Sequence, residues 1–402
     1  MNLSQFEKLP YENILEIAKL LSLESIDQLC RTSTRFRDLC NEEDFWHDLF
    51  IAAYGYIEDA DKYNISWRYL FYNYFNVWGY GDNSAGQLGL GNEKYIKSFK
   101  LLKKFKAQQV SCGYGHTAFL NLHNNIYVTG YNRGYRLGLK SGEVRTPTQL
   151  AEFKAKQVAC GSSHTAFIDL AGNIYITDKD EILKRIEGYK AQYIACGAGY
   201  TAFIELNNDI YTFGNNRFGQ LGLGHNERIP IPSRIEGHKA QYISCGSGHA
   251  AFIDLQGKIF TFGSNLYSQL GLGHRNKVNR PTEIEGFTAK YISCGLYHTG
   301  FITEDGTVYM FGRNGNKQLG LNDRQIRNIP TVMDRFKAKQ IACGENCTAF
   351  IDTDNNLWMC GRHAFANYPY DLIKMDNFKV HQVAAALDSF IAIGYDISGY
   401  KA

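Results

Sequence analysis

The chain has 402 residues, 44% hydrophobic and 21% charged, as in an ordinary globular protein large enough for two or three domains. Its 43 basic and 40 acidic residues leave a net charge of +3. A net charge this small gives no indication of the basic surface that binds nucleic acid or an anionic membrane, so we expect neither as a partner. No run of ~18 apolar residues occurs, which argues against a membrane-spanning helix.

The N-terminal segment carries Glu7 and Glu12 and lacks an apolar run, which argues against a secretory signal. We therefore expect an intracellular protein, in the cytoplasm or the nucleus, whose ten cysteines are reduced thiols. The abundance of Asn, Lys, Ile and Tyr suggests an AT-rich genome. A parasite or a large virus acting inside a host cell is therefore an alternative setting.

Residues 1–75 differ in composition from the rest of the chain, with no glycine before Gly55. Apolar residues over 11–21 recur at the i, i+3, i+4, i+7 spacing of an amphipathic helix. A second helical run is predicted after Ser25, which is a suitable cap, and a third over 66–75. The first part of the chain is thus predicted to be a small helical module.

The order of residues from Leu9-Pro10 to Trp46 and Leu49, with Arg35 between them, resembles the F-box motif. F-box modules dock on the Skp adaptor of cullin-type ubiquitin ligases. A module of ~45 residues buries little surface alone and can complete its core against partner helices. An unrelated helical cap would show similar periodicity and is the alternative. The resemblance gives ten candidates for the adaptor contact: Leu9, Pro10, Ile14, Leu15, Ile17, Leu20, Leu29, Phe36, Leu39 and Trp46.

The stretch SCGYGHTAF (111–119) recurs along the rest of the chain, with a faded last copy at 384–392. The position of its cysteine falls at 112, 160, 196, 245, 294, 343 and 385. A period near ~50 residues is typical of propeller blades.

A second block, such as YTFGNNRFGQLGLG (211–224), alternates with the first. Between the two blocks, apolar residues alternate on either side of a short turn, which predicts a β-hairpin. Each unit is then a small antiparallel sheet that buries its faces by packing against neighbours around a ring. The turns are predicted at Asn124-Asn125, Ala171-Gly172, Asn207-Asn208, Gln256-Gly257, Asp305-Gly306 and Asn355-Asn356.

The alternation of these two blocks resembles the regulator of chromosome condensation repeat family, and the resemblance implies a seven-bladed β-propeller. Six hairpins are complete within the chain. We expect the seventh to form when residues 383–394 pair with 76–81 and close the ring. The copy at 174–184 lacks thirteen residues of the glycine-rich excursion, which should leave a gap or groove on one face.

We therefore predict a mainly β fold, a seven-bladed propeller preceded by a small α-helical module. The predicted domains are an F-box-like module over 1–50, a helical linker over 51–74 and the propeller over 75–402.

The cysteine and histidine of the repeat suggest a metal site or a thiol with its base, but the pattern fits neither. One pair per blade does not converge on a point, as metal ligands must. Histidine is also replaced by Tyr200, Cys347 and Ser389 in three copies. We expect a buried thiol, a histidine bonded to nearby backbone, and no metal or cofactor. The alternative zinc site would be Cys343, Cys347 and Cys360.

Lysine precedes six of the seven return strands. This predicts either a basic ring for an acidic partner or, as we favour, a solvated sheet edge that blocks pairing with other sheets. The lysines are Lys106, Lys154, Lys190, Lys239, Lys337 and Lys379.

No nucleophile–base pair or carboxylate pair stands out, so we expect no catalytic residues. The favoured hypothesis is a substrate-receptor subunit of a Skp–cullin–F-box type ubiquitin ligase. Its partners would be a Skp-type adaptor, a cullin scaffold and an unidentified target protein. One alternative is a guanine-nucleotide exchange factor for a Ran-like small GTPase, the activity of the founding member of the repeat family. Another is a non-enzymatic interaction scaffold.

Overall fold

In the computed structural model, residues 9–21, 23–54, 65–140, 142–178, 182–362 and 370–399 are described.

The described residues fall into two compact units, one helical and one built of strands. The helical unit groups the residues up to Phe75 with those from Tyr395 onward, and the β unit is Asn76–Gly394. This grouping differs from the predicted propeller range of 75–402. The reason is that Tyr395 is buried in the helical core and Ile397 packs against that core.

Serine side chains cap two helices of the helical unit. Ser33 Oγ accepts a hydrogen bond from Phe36 N at 3.3 Å, and Ser66 Oγ accepts one from Tyr69 N at 3.2 Å. The second helix begins before Ser25, so the cap predicted there is wrong. Within the described residues the helices are α1 (Tyr11–Leu20), α2 (Leu23–Thr32), α3 (Thr34–Leu39), α4 (Glu43–Tyr54) and α5 (Trp67–Asn73).

Aromatic side chains dominate the core of the helical unit. The Trp46 ring lies 5.3 Å from that of Phe45 and 5.4 Å from that of Phe71, between centroids. Its indole N–H donates to the carbonyl oxygen of Cys40 at 2.9 Å, so its polar atom is satisfied inside the core. α1, α4 and α5 thus share one apolar interior, to which α1 contributes Ile14 and Ala18.

Cys30 in α2 and Cys40 just after α3 form a disulfide, with Cα atoms 5.9 Å apart. This corrects the expectation of reduced thiols for these two residues. The turn between α2 and α3 brings both side chains to the buried side of the unit. A prediction based on cellular compartment takes no account of that proximity.

Strands make up the described part of the β unit. In chain order they are β1 (Asn76–Asp82), β2 (Tyr95–Lys106), β3 (Gln109–Cys112), β4 (His116–Leu120), β5 (Asn125–Gly130), β6 (Val144–Cys160), β7 (Thr165–Asp169), β8 (Ile174–Asp178), β9 (Ile182–Ile186), β10 (Ala191–Cys196), β11 (Tyr200–Glu205), β12 (Asp209–Gly214), β13 (Ile229–Cys245), β14 (His249–Asp254), β15 (Lys258–Gly263), β16 (Val278–Thr288), β17 (Tyr291–Cys294), β18 (His298–Ile302), β19 (Val308–Gly312), β20 (Arg327–Met333), β21 (Ala338–Cys343), β22 (Cys347–Asp352), β23 (Asn356–Gly361), β24 (Tyr370–Ala385) and β25 (Ser389–Asp396).

These strands form a seven-bladed β-propeller with four antiparallel strands in each blade. In blade 1 the last part of β24 is the innermost strand, and β25, β1 and β2 follow it outward. Blades 2 to 7 follow in chain order and begin at β3, the second half of β6, β10, the second half of β13, β17 and β21. β6, β13 and β24 are long enough to end one blade and begin the next.

The ring closes where β25 pairs antiparallel with β1, with Val77 opposite Ile393 and Gly81 opposite Ser389. The indole N–H of Trp78 adds a hydrogen bond to the carbonyl oxygen of Gly394 at 3.2 Å. The first and last strands of the β unit therefore share one blade.

Each hairpin turn inside a blade has one residue with positive φ, as the predicted Asn, Asp and Gly pairs require. Asn124, for example, has φ 62° and Asn208 has φ 71°. The other positive-φ residues at these turns are Gly172, Gly257, Gly306 and Asn355.

The inner strands of neighbouring blades meet at the axis, at the glycine that follows the repeated cysteine. Leu296 N donates to Gly344 O at 3.1 Å, from one blade to the next, and Glu345 N donates to Ala386 O at the same distance. A methyl group on Gly246 would collide with the Gly295 carbonyl oxygen of the next blade and with the imidazole of its own repeat. Glycine is required here by space rather than by a positive φ.

We expect Gly246→Ala to lower the free energy of unfolding by at least ~2 kcal/mol, because the added methyl would push two inner strands apart. Gly315→Ala is the matched control, since a methyl group there would meet only an arginine side chain at 3.9 Å. Chemical denaturation of the two variants measures the difference. Equal effects would mean that the inner strands tolerate wider spacing.

Candidate functional surfaces

The ten predicted adaptor-binding residues are not equally accessible. Ile14 and Phe36 are 0% exposed and Trp46 is 1% exposed, so we reassign these three from the contact surface to the core of the helical unit. Sequence periodicity identified them as apolar, but the same apolar pattern serves core and contact surface. Pro10 and Leu20 are exposed, and the remaining five are half-buried: Leu9, Leu15, Ile17, Leu29 and Leu39.

Among the large apolar side chains described in the helical unit, that of Leu20 is the most exposed, at 86%. Ile14 and Ala18 of the same helix point into the core. Because successive residues of an α-helix are turned by ~100°, Leu20 lies on the side of α1 away from Ile14 and Ala18. The half-buried Ile17 is next to it. α1 thus has a buried stripe and a separate exposed apolar edge.

The repeated histidine fastens one propeller blade to the next. His116 Nε2 lies 3.0 Å from Thr165 Oγ1, and His249 Nε2 lies 2.9 Å from Thr299 Oγ1 in the following blade. His164–Thr201 and His298–Thr348 repeat the contact, each at 2.8 Å. The prediction of a bond to nearby backbone is therefore wrong, because the partner is a side chain in another repeat.

The threonine hydroxyl fixes which nitrogen of the histidine carries the proton. Thr299 Oγ1 donates its proton to Gln269 O at 2.8 Å, and Thr348 Oγ1 donates to Gln318 O at 2.7 Å. The hydroxyl oxygen must then accept from the histidine, so Nε2 is protonated and Nδ1 is not. The network links three segments: a histidine, the next blade's threonine and a glycine-rich excursion.

Burial keeps these histidines neutral. It lowers the pKa of His116, His249 and His298 to about 3, and that of His164 to about 4. Burial also raises the pKa of the thiols of Cys112, Cys160, Cys294 and Cys343 to about 12. The repeated pair therefore holds a neutral imidazole and a protonated thiol, which is a structural arrangement rather than a nucleophile with its base.

The identity of the facing threonine accounts for two of the three histidine replacements; Ser389 is the exception, because blade 2 keeps Thr117. Blade 5 has Ala250 in place of threonine, and blade 4 correspondingly has Tyr200 in place of histidine. The Tyr200 hydroxyl shares its one proton between the carbonyl oxygens of Gly246 and His249 in blade 5, at 3.1 and 2.5 Å. Phe390 likewise replaces the threonine that would face Cys347. Comparing each histidine with the repeat after it would have revealed this contact from sequence.

The central channel is lined by a second repeated position, three residues before each cysteine. Glutamine at this position bridges blades: Gln109 Oε1 accepts from Val158 N at 3.0 Å, and Gln157 Oε1 accepts from Ile194 N at 2.9 Å. Tyrosine replaces it in three successive blades. The rings of Tyr193, Tyr242 and Tyr291 lie side by side, with neighbouring centroids 4.8 and 4.9 Å apart, on the wall of the channel of about 210 Å³.

Three of the recurring lysines bind hairpin turns. Lys190 Nζ donates to Ala171 O at 3.0 Å, and Lys239 Nζ donates to Asn207 O at 2.7 Å. Lys379 is 1% exposed and donates to Asp354 O at 2.7 Å. These contacts fasten hairpin turns, a role that neither prediction included, and Lys190 and Lys239 are exposed as well.

Wherever the chain is described, no group of three or more His, Cys, Asp or Glu side chains is placed to hold a metal ion.

The glycine-rich excursions and the Cys-Gly turns lie on one side of the propeller, which we call the loop face. Blade 3 has the shortest connection there, since only 179–181 separate β8 from β9 and these lie outside the described residues. In blade 3 His164 is half-buried, whereas His116, His249 and His298 of other blades are 0% exposed. The five full excursions cover 83–94, 131–143, 215–228, 264–277 and 313–326.

Arginines lie against half-buried or exposed tyrosine rings on the loop face. The Arg136 guanidinium lies 5.0 Å from the ring of Tyr131 and donates to the carbonyl oxygens of Tyr114 and Ser162 at 2.9 and 2.8 Å. In other blades of the propeller, the Arg313 guanidinium lies over the aromatic rings of Tyr267 and Tyr297, at 5.4 and 5.7 Å from their centroids. Arginine and tyrosine are enriched at protein interfaces.

The repeats, the ring and its closure define a circular propeller of the regulator of chromosome condensation type. A family model described as RCC1-like domain matches residues 76–384, and the chain belongs to this family. A second model, described as F-box-like, matches residues 6–52.

Solved structures show the same fold. Prp20p from Saccharomyces cerevisiae matches with a TM-score of 0.74 at 17% identity, over 81% of this chain and 92% of that one. Human WBSCR16 matches with a TM-score of 0.71 at 17% identity, over 80% of this chain and 99% of that one.

Curated relatives match over short segments only. Protein RCC2 homolog of Xenopus laevis is 35% identical over 79 residues, which are 18% of this chain and 15% of that protein. The probable E3 ubiquitin-protein ligase HERC3 of Homo sapiens is 42% identical over 65 residues, 15% of this chain and 6% of that protein. The matches therefore span a small fraction of these longer relatives.

The helices in the described ranges include none that is both long and apolar enough to cross a bilayer.

We expect stability to fall as the pH drops below about 6.5, the unfolded-state pKa of histidine. Between that value and the folded pKa of about 3 for His116, His249 and His298, the unfolded chain binds protons that the folded chain does not. The loss is up to ~1.4 kcal/mol per pH unit for each histidine. Urea unfolding at about pH 7.5 and about pH 5.5 measures it, since few carboxyl groups titrate there. His249→Gln should show a drop smaller by ~1.4 kcal/mol; an identical drop would contradict this assignment.

We expect Tyr200→His and Ala250→Thr to be favourably coupled. The single variant Tyr200→His loses the hydrogen bonds of the tyrosine hydroxyl to the next blade. Its imidazole would face Ala250, which has no hydroxyl to bond. With Ala250→Thr it should regain the histidine–threonine bond of the other blades, with a coupling of ~1 kcal/mol. A double-mutant cycle of unfolding free energies measures this coupling, and strict additivity would contradict the pairing rule.

Proposed function

We propose that this protein is the substrate-receptor subunit of a Skp–cullin–F-box type ubiquitin ligase. In this role the helical unit docks on a Skp-type adaptor, and the propeller recruits a target protein. The observation that carries the proposal is the combination of an F-box-like match over residues 6–52 with an interaction propeller over 76–384. Ubiquitin transfer would take place on other subunits, so the chain needs no catalytic residues of its own.

The surface of α1 supports the docking role. Leu20 is 86% exposed, and it lies beside half-buried Ile17 on the side of the helix away from the core. An exposed leucine at the edge of an amphipathic helix is suited to a hydrophobic groove on a partner helix bundle. The exposed Pro10, immediately before α1, extends the same candidate surface, whereas Ile14, Phe36 and Trp46 support it from inside.

We expect Leu20→Asp to weaken binding to a purified Skp adaptor by at least ~10-fold, because it places a charge where an apolar contact should form. The folded chain should be unaffected, since this side chain is mostly in solvent. Gln28→Asp is the matched control, an exposed position on α2. Calorimetry or a pull-down with the full chain gives the comparison.

Absence of adaptor binding by the folded wild-type chain would overturn the receptor role. Equal weakening by Leu20→Asp and Gln28→Asp would overturn the assignment of the α1 surface and leave the receptor role standing.

A second candidate is guanine-nucleotide exchange on a Ran-like GTPase. The observation that favours it is the likeness to Prp20p, whose structure report describes binding to Gsp1p and histones. At 17% identity the likeness supports the fold and does not carry the partner to this chain. Release of labelled GDP from purified Ran, measured with and without this protein, separates the two functions. Acceleration by this chain would favour exchange.

A further inference from the structure

Backbone N–H groups of the innermost strands point into the central channel of the propeller. In an edge strand, every second residue turns its N–H away from the neighbouring strand. In blade 3, Val158 N donates to Gln109 Oε1 at 3.0 Å. Two residues further on, Cys160 N donates to Ser111 Oγ at 2.9 Å. Both acceptors belong to blade 2, so the side chains of one blade can cap the inner edge of the next.

Two positions of the preceding blade decide whether these N–H groups are capped. Glutamine three residues before the cysteine caps the first N–H, and serine one residue before it caps the second. The first N–H is capped at Val110, Val158, Ile194 and Val383. The second is capped at Cys160, Cys294 and Cys343. Among the described residues, tyrosine and alanine at the capping positions provide no such bond.

Blade 5 combines the loss of both caps. The innermost strands of all seven blades are described, and the other six keep at least one cap. Blade 4 carries Tyr193 and Ala195 at the two capping positions, so Ile243 N and Cys245 N of β13 receive no side-chain acceptor. Their spacing of two residues is the spacing at which an added strand places its carbonyl oxygens. The inner edge of blade 5 is therefore open to an extended polypeptide.

The channel offers hydrogen-bond donors and no negative charge. None of the residues that line its volume of about 210 Å³ is charged, and all of them are described. Burial raises the pKa of each of the three channel tyrosines, so their hydroxyls stay protonated. Cys196 N, level with Cys245 N on the neighbouring blade, also lacks a serine cap because blade 3 carries Ala159. Such a set of donors suits an acceptor, and a carboxylate best of all.

The two ends of the channel differ. At one end the repeated cysteines line both the channel and a loop-face cavity of about 140 Å³, and the glycines after them leave no space for a methyl group. At the other end lie the hairpin turns. There the residue before the glutamine or tyrosine is exposed in six blades, and no blade has a carboxylate at this position. Three blades have lysine: Lys156, Lys290 and Lys339. A carboxylate is therefore favoured to enter from the hairpin side and to stop near the cysteines.

We propose that the central channel binds the C-terminal end of the target protein, as a strand added parallel to the inner edge of blade 5. The terminal carboxylate would accept from Cys245 N and Cys196 N, and the carbonyl oxygen two residues earlier would accept from Ile243 N. The distance from the tyrosines to the cysteines is ~10 Å along a strand, so about three residues enter and must be small. The inference deepens the proposed receptor role and rests on it, since it names the part of the target that is recognised.

The test uses the full chain and three short peptides of glycine and serine, labelled with fluorescein at the N-terminus. The peptides end in two glycines, two alanines or two serines, and each is made with a free C-terminal carboxylate and with a C-terminal amide. Anisotropy titrations should show at least one acid binding at least ~10-fold more tightly than its amide, because the amide lacks the charge that the N–H groups bind.

Tyr193→Gln/Ala195→Ser should close the inner edge of blade 5, because it introduces the two caps that blade 2 carries. We expect the acid peptide to lose at least ~10-fold in affinity. Tyr291→Gln/Ala342→Ser is the matched control, since it makes the same two exchanges where the new caps fall on two different strands. It should leave the affinity unchanged.

A second variant tests the site with little risk to folding. Ala195→Ser introduces the residue that blades 2, 5 and 6 carry at this position, so the melting temperature should be unchanged. We expect it to weaken the acid peptide several-fold, because the new hydroxyl competes for Cys245 N.

Three outcomes would overturn the proposal: equal binding of acids and amides, no binding of any of the three acids, or equal loss in the control variant. Adaptor binding by Tyr193→Gln/Ala195→Ser should match that of wild type. Retained adaptor binding without peptide binding overturns the channel site and not the receptor role. Peptide binding without adaptor binding overturns the receptor role and, with it, the assignment of the bound C-terminus to a ligase target.

Discussion

The propeller depends on how closely seven strands can approach one axis. At the turn after each repeated cysteine, backbone meets backbone from the next blade, and the glycine there has no space for a methyl group. Because the strands are this close, main-chain groups such as Leu296 N and Gly344 O can bond directly between blades. The histidine–threonine bonds and the channel glutamines lie just outside this contact and add side-chain links to it. Every blade is thus held by its neighbours near the axis, which leaves the loop face free to vary.

Much of this architecture could be predicted from sequence because it repeats. The alternation of apolar residues, the Asn, Asp and Gly pairs at turns and the period between cysteines gave the fold class and the hairpins. The partner of the histidine was predicted wrongly. A local sequence pattern predicts contacts between residues that are close in the chain. His116 and Thr165 are 49 positions apart and come into contact only when the blades pack together. The signal was nevertheless present, in the coincidence of Tyr200 with Ala250 and of Cys347 with Phe390.

The helical unit was harder to predict in detail. Periodicity showed which residues of α1 are apolar, but not which apolar side faces inward, so Ile14 and the exposed Leu20 appeared equivalent. Which of them is buried depends on the aromatic cluster around Trp46, and part of that cluster comes from α5, beyond the predicted module. Tyr395 also belongs to this core, from the far end of the chain. A module that draws on distant segments cannot be delimited from its local motif.

Ring closure by β1 and β25 sets an order of events during synthesis. Trp78 and its partner Gly394 are 316 positions apart, so β1 leaves the ribosome long before the strand that will cover its edge. At ~5–20 residues per second, that interval lasts on the order of 15–60 seconds. During it β1 has β2 on one side and an open row of backbone donors and acceptors on the other, the kind of edge that pairs with foreign strands. The nascent chain therefore still has an open strand edge when six of its seven blades already have all their strands.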